Sequence, residues 1–485
     1  MTTTATATTS TSTNTTAAGD LRPYESYVYA YPHKTAYRPL RPRPRLREVW
    51  AGERSDALSL YLHIPFCEVR CGFCNLFTRV GAPDGLAGAY LDALERQARA
   101  VREELDAASA GGVRFATAAF GGGTPTFLEA GELSRLCDIA ERDAGADLRA
   151  VPLSVEASPA TATADRLAVL AERGATRLSL GVQSFVEAEA RAAVRPQRRA
   201  DVEAALGRIR DARFPVLNID LIYGIDGQTG RSWRQSLEAA LAWEPEELYL
   251  YPLYVRPLTG LGRRGPAESE AAWDARRLRL YREGRELLLE RGYEQVSMRM
   301  FRLPGLGGAS GGGDEAGAGA GVGDGRVSPG GGGTEYCCQT DGMVGLGCGA
   351  RSYTSRLHYS FDYAVGTARV RGIVDDYVAR PAEDFARAEV GFAVTGDEAR
   401  RRHLVQSLLQ ARGMDTAAYR ARFGSDASDD FAAELDAFAG RGWLDGSCGP
   451  GLLRLSPEGL AHSDAVGPAL FSPAVRAAMA AYDPE

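Results

Sequence analysis

The sequence predicts an α/β fold, a partial (β/α)6 barrel followed by a mostly helical, winged-helix-like C-terminal module. Short β-rich runs alternate about six times with helical stretches, which indicates parallel βα units. A closed barrel of this type needs about eight units, so an open one fits better. From Asp397 onward the pattern becomes helical and ends in a short hairpin-like stretch, GSCGPGLLRLSPEGLAHS.

Six short apolar runs are candidate strands. The segments between them are rich in Ala, Leu, Glu and Arg, with apolar residues at helical spacing, as in GAYLDALERQARAVREELDAA. The predicted strands are 59–66, 113–120, 148–157, 176–182, 216–224 and 246–255.

Changes in composition divide the chain into six segments. The Thr-rich start has neither the basic nor the apolar region of a signal peptide, so we expect a disordered tail. A Gly-dominated tract has few side chains able to pack, and we expect a flexible insertion. The predicted segments are a tail 1–20, an N-terminal wrapping segment 21–56, the partial barrel 57–302, the Gly-rich insertion 303–334, a post-barrel segment 335–395 and the C-terminal module 396–485.

Composition excludes several classes of protein. The 485 residues carry a formal charge of −7, which argues against a general polyanion binder. From Asp397 on, 13 acids outnumber 9 Lys and Arg residues, so DNA binding is not favoured for that module either. The absence of a long apolar run argues against a membrane span. Eight cysteines are too sparse for a disulfide framework, and we expect reduced thiols in a cytoplasmic protein.

The strongest chemical signal is a C-x3-C-x2-C loop made by Cys67, Cys71 and Cys74. It follows the first predicted strand, at the edge where active sites of parallel sheets gather. Ordinary [4Fe–4S] electron carriers use four cysteines, so three would leave one iron open, as catalytic zinc sites keep an open position. Zinc is an alternative, but it wants a fourth ligand and His63 lies on the preceding strand. Three structural thiols are the other alternative.

The string YLHIPFCEVRCGFC resembles the radical SAM superfamily and, within it, the oxygen-independent coproporphyrinogen III dehydrogenase-like (HemN/HemW-like) group. With HKTAYRPL and CGFCNLFT, the chain is most similar to a poorly characterised subfamily. The resemblance spans roughly residues 57–465. It implies a radical SAM barrel, a [4Fe–4S] cluster on the three cysteines, and reductive cleavage of S-adenosyl-L-methionine (SAM) to a 5′-deoxyadenosyl radical. It also implies an oxidoreductase of the porphyrin-biosynthesis kind, with a small or tetrapyrrole-like substrate and a flavodoxin or ferredoxin as electron donor.

Several residues at the ends of later predicted strands suit SAM. The glycines after residue 120 let a ligand approach the backbone, although such a triplet is also typical of a turn. Glu156 could accept ribose hydroxyls or be a solvated acid. Asp220, inside an apolar run, needs a function or a partner such as arginine. The resemblance implies a SAM-binding set of Tyr61, Phe73, Gly122, Gly123, Thr124, Glu156, Gln183, Arg195 and Asp220.

The sequence also departs from the family pattern. Leu76 stands where dehydrogenases acting on coproporphyrinogen carry a further cysteine, and the adjacent Cys337 and Cys338 are either structural or redox thiols. Three functions stay open: a radical SAM oxidoreductase, a haem-binding or haem-trafficking protein of the same fold, and a radical methyltransferase acting on a secondary metabolite. Arg256 and Arg263 could meet a carboxylated substrate, although exposed arginines are common, and no catalytic residue is predicted.

Overall fold

The computed structural model describes residues 21–28, 30–256, 258–262, 268–305 and 340–482. The predicted tail, all but the first residues of the Gly-rich insertion, Arg263, Cys337 and Cys338 lie outside the described residues.

Strands and helices alternate through the first half of the chain. The described strands are β1 Arg38–Pro39, β2 Leu58–Ile64, β3 Phe66–Cys67, β4 Arg79–Val80, β5 Phe115–Gly122, β6 Leu153–Ala157, β7 Arg177–Gln183, β8 Val216–Tyr223, β9 Glu247–Pro252, β10 Glu294–Gln295, β11 Met300–Arg302, β12 Met343–Leu346, β13 Arg351–Tyr353, β14 Leu357–Ser360, β15 Val390–Ala393, β16 Met414–Asp415 and β17 Leu452–Leu453.

Helices connect the strands and make up most of the C-terminal part. The described α-helices are α1 Leu46–Val49, α2 Leu86–Ala108, α3 Ala130–Asp138, α4 Ala164–Glu172, α5 Glu187–Ala192, α6 Arg199–Asp211, α7 Gly230–Leu241, α8 Glu270–Glu290, α9 Thr367–Ala379, α10 Asp397–Leu408, α11 Thr416–Phe423, α12 Ala427–Asp430, α13 Ala432–Gly440, α14 Pro457–Ala461, α15 Ser463–Ala469 and α16 Pro473–Ala480. Short 3-10 turns occur at Lys34–Ala36, Pro125–Phe127 and Ala382–Ala386, and a π-helical turn at Ile139–Asp143 extends α3.

Six parallel strands, β2 and β5 to β9, form the centre of the main sheet in chain order. Crossover helices join each strand to the next, as parallel pairing requires. At the two ends of this set, β12 pairs parallel with β2 and β11 pairs antiparallel with β9. The sheet is therefore open, and the predicted α/β fold with six βα units is confirmed.

The third predicted strand is too long at its start. The sequence predicts a strand from residue 148, but β6 begins at Leu153. The carboxylate of Asp147 accepts hydrogen bonds from the amides of Arg149 and Ala150, both at 3.2 Å, and this closes a turn. Pro152, which cannot donate to a ladder, then separates the turn from the strand.

The two faces of the six parallel strands differ in polarity. Alternate residues such as Leu60 and Leu62 are buried in the large hydrophobic cluster beneath the helices. The opposite, inner face is polar: the hydroxyl of Thr117 donates to Ser59 at 2.9 Å, and Arg177 donates to the Ser154 hydroxyl at 3.0 Å. Period-two alternation of this kind places chemistry inside the barrel and the apolar core outside it.

The C-terminal part is helical and has its own hydrophobic cluster, which includes Tyr419, Phe438 and Val466. The predicted hairpin is present only in part. Leu444 and Leu455 form an antiparallel bridge, whereas β17 pairs with β16, a strand more than thirty residues earlier. Among the described helices, none is both long and apolar enough to cross a bilayer.

An N-terminal segment, which we call the strap (residues 21–28 and 30–40), contacts both edges of the parallel set. The ring of Tyr27 lies 6.4 Å from that of Tyr251 on β9. Ala30 clusters with Tyr61 on β2. The strap thus lies across the gap between β2 and β9, and Tyr31 continues into the C-terminal cluster, where its ring lies 5.3 Å from Phe471.

Candidate active site at the carboxyl edge of the sheet

The cysteine loop begins at Cys67, the last residue of β3, and returns through β4, where Cys67 pairs with Val80. Backbone hydrogen bonds pin the loop on two sides. The amide of Gly72 donates to the carbonyl of Ala193 at 3.0 Å, and the amide of Leu261 donates to the carbonyl of Gly72 at 2.8 Å. A Cβ on Gly72 would lie 2.9 Å from that Ala193 oxygen, so glycine permits this close approach.

Each of the three thiols has a polar neighbour. The sulfur of Cys67 lies 3.4 Å from the Thr124 hydroxyl, and that of Cys74 lies 3.8 Å from the Thr78 hydroxyl. Arg195 donates to the sulfur of Cys71 at 3.1 Å. Burial, with a smaller contribution from the neighbouring thiols, raises the pKa of Cys67 to about 12, and burial also raises the pKa of Cys74.

The three thiols of the loop are candidate ligands for a metal ion or an iron–sulfur cluster. Across the described residues, no three His, Cys, Asp or Glu side chains are gathered closely enough to hold a single metal ion. All three loop cysteines are partly accessible and outside any disulfide. A donor set made only of thiols is the kind that iron–sulfur clusters use. The three cysteines therefore fit a [4Fe–4S] cluster by the chemistry of their side chains.

The glycine segment after β5 packs directly on the start of the cysteine loop. The amide of Gly123 donates to the carbonyl of Ile64, and that of Thr124 to the carbonyl of Phe66, both at 2.8 Å. A Cβ on Gly123 would lie 2.6 Å from the Phe66 oxygen. The segment is thus more than a turn, because it fixes the backbone from which the first cysteine extends.

Two carboxylates lie on the inner face next to this segment. Glu156 accepts a hydrogen bond from the amide of Gly122 at 3.1 Å. It is accessible within the barrel but largely surrounded by protein, and burial together with the charge of Asp220 raises its pKa to about 7. Burial also raises the pKa of Asp220.

Asp220 is held by neutral partners. Its carboxylate accepts from the amide of Asn218 at 2.8 Å and from the Ser179 hydroxyl at 3.4 Å. Arg177, on the neighbouring strand, forms its ion pair with Glu247 at 2.6 Å. The carboxylate of Asp220 therefore keeps acceptor capacity toward the barrel interior.

Arg195 connects the cysteine loop to the end of β7. Besides Cys71, its guanidinium donates to the carbonyl of Gly181 at 2.5 Å and to the side chain of Gln197 at 2.7 Å. Gln183 lies at a register shift on the same strand, with φ of 70°. Left-handed backbone at a non-glycine residue is uncommon and is often found at functional sites.

Tyr61 and Phe73 belong to different groups of side chains. Phe73 packs with Ile222 and Leu253 in a small apolar cluster, whereas the hydroxyl of Tyr61 lies 3.3 Å from Nδ1 of His63. Among the predicted site residues, the structure brings Thr124 into contact with Cys67, Arg195 with Cys71 and Glu156 with Gly122.

His63, which the sequence offers as an alternative zinc ligand, has another role in the structure. Its Nε2 donates to the carbonyl of Phe77 at 3.1 Å, since a carbonyl can only accept, and this leaves Nδ1 to accept from Tyr61. Burial lowers the pKa of His63 to about 4. A Cβ on Gly122 would collide with its ring. Its position on the inner face could have been read from the alternation Ser59, Tyr61, His63.

Residues 61–240 match the family model described as the Radical SAM superfamily. The matched range includes the three cysteines and every predicted cofactor contact.

Individual proteins similar to this chain indicate a narrower group than the superfamily. The oxygen-independent coproporphyrinogen III oxidase of Paracoccus denitrificans is 35% identical over 286 residues, which cover 57% of this chain and 61% of that protein. Heme chaperone HemW of Bacillus subtilis is 34% identical over 202 residues, 41% of this chain and 52% of that one. The predicted resemblance to the HemN/HemW-like group is confirmed, although the chain spans about half to three fifths of the length of these relatives.

The fold is shared with a solved structure, that of coproporphyrinogen III oxidase (HemN) from Escherichia coli. The TM-score is 0.73 at 23% identity, over 92% of this chain and 96% of that one.

Proposed function

We propose that this protein is a radical SAM enzyme resembling oxygen-independent coproporphyrinogen III oxidase, in which Cys67, Cys71 and Cys74 hold a [4Fe–4S] cluster. The observation that carries the proposal is the three-thiol loop, pinned by backbone hydrogen bonds and contacted by Arg195 at 3.1 Å. When bound, the cluster would supply the electron that cleaves SAM into methionine and a 5′-deoxyadenosyl radical able to abstract hydrogen from a substrate.

The residues of this chain would position both cofactors. Arg195 is fixed by Gly181 and Gln197, so its charge is available to stabilise the thiolate form of Cys71 that metal binding requires. Glu156 and Asp220 offer carboxylate oxygens on the inner face, suited to the hydroxyl and ammonium groups of SAM. The close approach at Gly123 keeps the loop and the neighbouring strand in one arrangement.

Anaerobic reconstitution with iron and sulfide tests the proposal. The wild type should gain visible cluster absorbance and, with dithionite and SAM, release 5′-deoxyadenosine. Cys71→Ala should lose both. Cys448→Ala, which changes a partly exposed cysteine in the C-terminal part, is the matched control and should behave as wild type. Intact thiols that bind no iron, or SAM cleavage that survives Cys71→Ala, would contradict the proposal.

The proposal extends to the partner and the compartment. An enzyme of this kind needs a one-electron donor such as flavodoxin or ferredoxin, and a reduced cluster with free thiols requires a reducing environment, for which we propose the cytoplasm.

A second candidate is a haem-binding or haem-trafficking protein on the same fold. The similarity to HemW favours it, together with Leu76, whose apolar side chain is 49% exposed beside the cysteine loop. A titration with haem that shifts the Soret band at equimolar protein would support this candidate, and an unshifted band would count against it.

A further inference from the structure

Lys34 is the single lysine of this chain, and every other one of the 56 Lys and Arg residues is an arginine. An ammonium group at this position is therefore not explained by the general composition. An ammonium is a compact point charge with three donors, which the planar guanidinium of arginine does not reproduce.

The strap fixes where this ammonium lies. Lys34 begins a 3-10 turn that His33 caps by accepting from the amide of Thr35 at 3.3 Å. Tyr31, three residues before Lys34, and Ala36, the last residue of the turn, are fully buried in the C-terminal cluster. The backbone around Lys34 is thus held by tertiary packing on both sides.

The side chain of Lys34 lies next to the cysteine loop. Its Nζ lies 3.5 Å from the centroid of the Tyr363 ring. The hydroxyl of Tyr363 donates to the carbonyl of Asn75 at 2.8 Å, and Asn75 directly follows Cys74. One aromatic ring therefore links the ammonium to the loop that would hold the cluster.

Two arginines occupy the same edge of the sheet. Arg351 begins β13 after a turn that rests on His63, where a Cβ on Gly349 would lie 2.8 Å from Nε2 of that histidine. Arg256 follows β9 and lies 3.5 Å from the Ser26 hydroxyl of the strap.

The three cations act on a common region. After burial, the charges of Lys34, Arg351 and Arg256 are the groups that lower the pKa of His33. Burial and then Arg351 lower the pKa of Lys34 itself, while the Cys74 thiol raises it. Contacts place the cations in the same region. A Cβ on Gly349, two residues before Arg351, would lie 2.8 Å from the Phe77 ring, and that ring lies 6.3 Å from the Tyr363 ring beneath Lys34. Arg256 contacts the strap that carries Lys34.

Two of these cations have no carboxylate partner within the part of the chain that the structure describes. The contacts of half-buried Lys34 are with the Tyr363 ring, and those of Arg256 are with Ser26 and with the Tyr254 ring at 5.1 Å. Placing like charges together in a partly buried region is unfavourable unless an anion joins them. A ligand can supply that anion.

We infer that Lys34, Arg256 and Arg351 form a binding site for an oxyanion, a carboxylate or a phosphate, carried by the substrate. The inference rests on the proposed function in one respect, namely that the anion belongs to the molecule that meets the radical. The site lies at the mouth of the barrel, so it would orient an acidic substrate over the cysteine loop.

The single lysine makes a direct test available. A water-soluble acetylating ester reacts with one side chain, Lys34, and with the α-amino group of the chain, which serves as the internal control. Acetylation of the reconstituted protein is followed by mass spectrometry in the presence of coproporphyrin III, citrate or inorganic phosphate. Coproporphyrin III tetramethyl ester and sodium chloride at matched ionic strength are the neutral and salt controls.

We expect at least one of the three anions to slow acetylation of Lys34 about tenfold, the effect of roughly 90% occupancy, without slowing acetylation of the α-amino group. Protection by phosphate alone assigns the phosphate class, and protection by coproporphyrin III or citrate alone assigns the carboxylate class. The inference would be overturned if none of the three anions slowed the acetylation of Lys34, or if the tetramethyl ester slowed it as much as the anions do.

Variants then test the residues. Lys34→Gln and Arg256→Gln should each weaken binding of the protecting anion about tenfold, the equivalent of one charge-assisted hydrogen bond, and Lys34→Arg should weaken it less. Arg142→Gln, which alters a side chain 74% exposed on the outer surface, is the matched control. Wild-type affinity in Lys34→Gln would also overturn the inference. Cluster absorbance and SAM cleavage, measured separately on the wild type, report on the proposed function alone.

Discussion

Replacing Gly123 by alanine should separate the glycine segment from the cysteine loop. The added Cβ would lie 2.6 Å from the oxygen of Phe66 and 2.8 Å from that of Ile64, whereas real Cβ contacts essentially never fall below 3.0 Å. Both oxygens belong to the backbone just before Cys67. Rotation of a side chain therefore cannot relieve the overlap, and the two segments must move apart.

The size of the effect follows from these contacts. Overpacking of a close-packed region costs about 1–3 kcal/mol. The displacement also strains the two 2.8 Å hydrogen bonds that join the segments, each worth about 1 kcal/mol. We expect Gly123→Ala to lower the free energy of unfolding by about 2–4 kcal/mol and to reduce the iron content after reconstitution several-fold.

Urea denaturation and iron content per chain after anaerobic reconstitution measure the two effects. Gly88→Ala is the matched control, because a Cβ there meets nothing within 4 Å in α2, and alanine in a helix is stabilising by up to about 1 kcal/mol. A Gly123→Ala protein that unfolds within about 0.5 kcal/mol of wild type and binds iron normally would refute this explanation of the segment.

Three further substitutions test charged or titratable groups. Arg299→Met should lower the free energy of unfolding in urea by about 3–5 kcal/mol, because the Asp464 carboxylate, 1% exposed, loses its charged partner. The control is Arg198→Met, which removes an ion pair with Asp201 whose side chains are 76% and 44% exposed. It should change the free energy of unfolding by less than about 0.5 kcal/mol. Since burial lowers the pKa of His63 from 6.5 to about 4, the protein should lose stability as the pH falls through that window, by about 3 kcal/mol, and denaturation curves of His63→Gln should lack this loss. Glu156 should give the opposite pH dependence. Because its pKa is raised from 4.5 to about 7, its contribution to stability is present at low pH and is lost as the pH rises through that window. An unchanged pH slope in Glu156→Gln would contradict this assignment.

The parallel strands were predictable because each is a short apolar run, and the segments between the runs have apolar residues at helical spacing. The start of β6 was not, because the turn at Asp147 depends on side-chain-to-backbone hydrogen bonds that the apolar run LRAVPLSV conceals. The partner of β17 was missed for a different reason. Its sequence suggests a local hairpin, but in the fold β17 pairs with β16.

The part of the candidate site built from residues that follow successive strands was predictable from the sequence. Parallel strands end at one edge, so residues after successive strands, such as Glu156 and Asp220, were expected to meet. Contacts made across long separations were not: Arg195 and Cys71 are 124 residues apart, and they meet because the loop packs on the residues that follow α5. The position of Lys34 depends on the packing of the strap against the C-terminal cluster. No local sequence pattern predicts that packing.

The strap has a consequence for how the protein is made. The hydroxyl of Tyr31 accepts a hydrogen bond from the amide of Ser472, a residue 441 positions later in the chain. At about 5–20 residues per second, a ribosome takes about 20–90 s to cover that distance. During this interval the parallel strands and the cysteine loop have already emerged, while the strap still lacks the cluster that holds it in place. The strap can therefore pack in its final position only after the last helices have been made, which is later than the parallel strands and the cysteine loop.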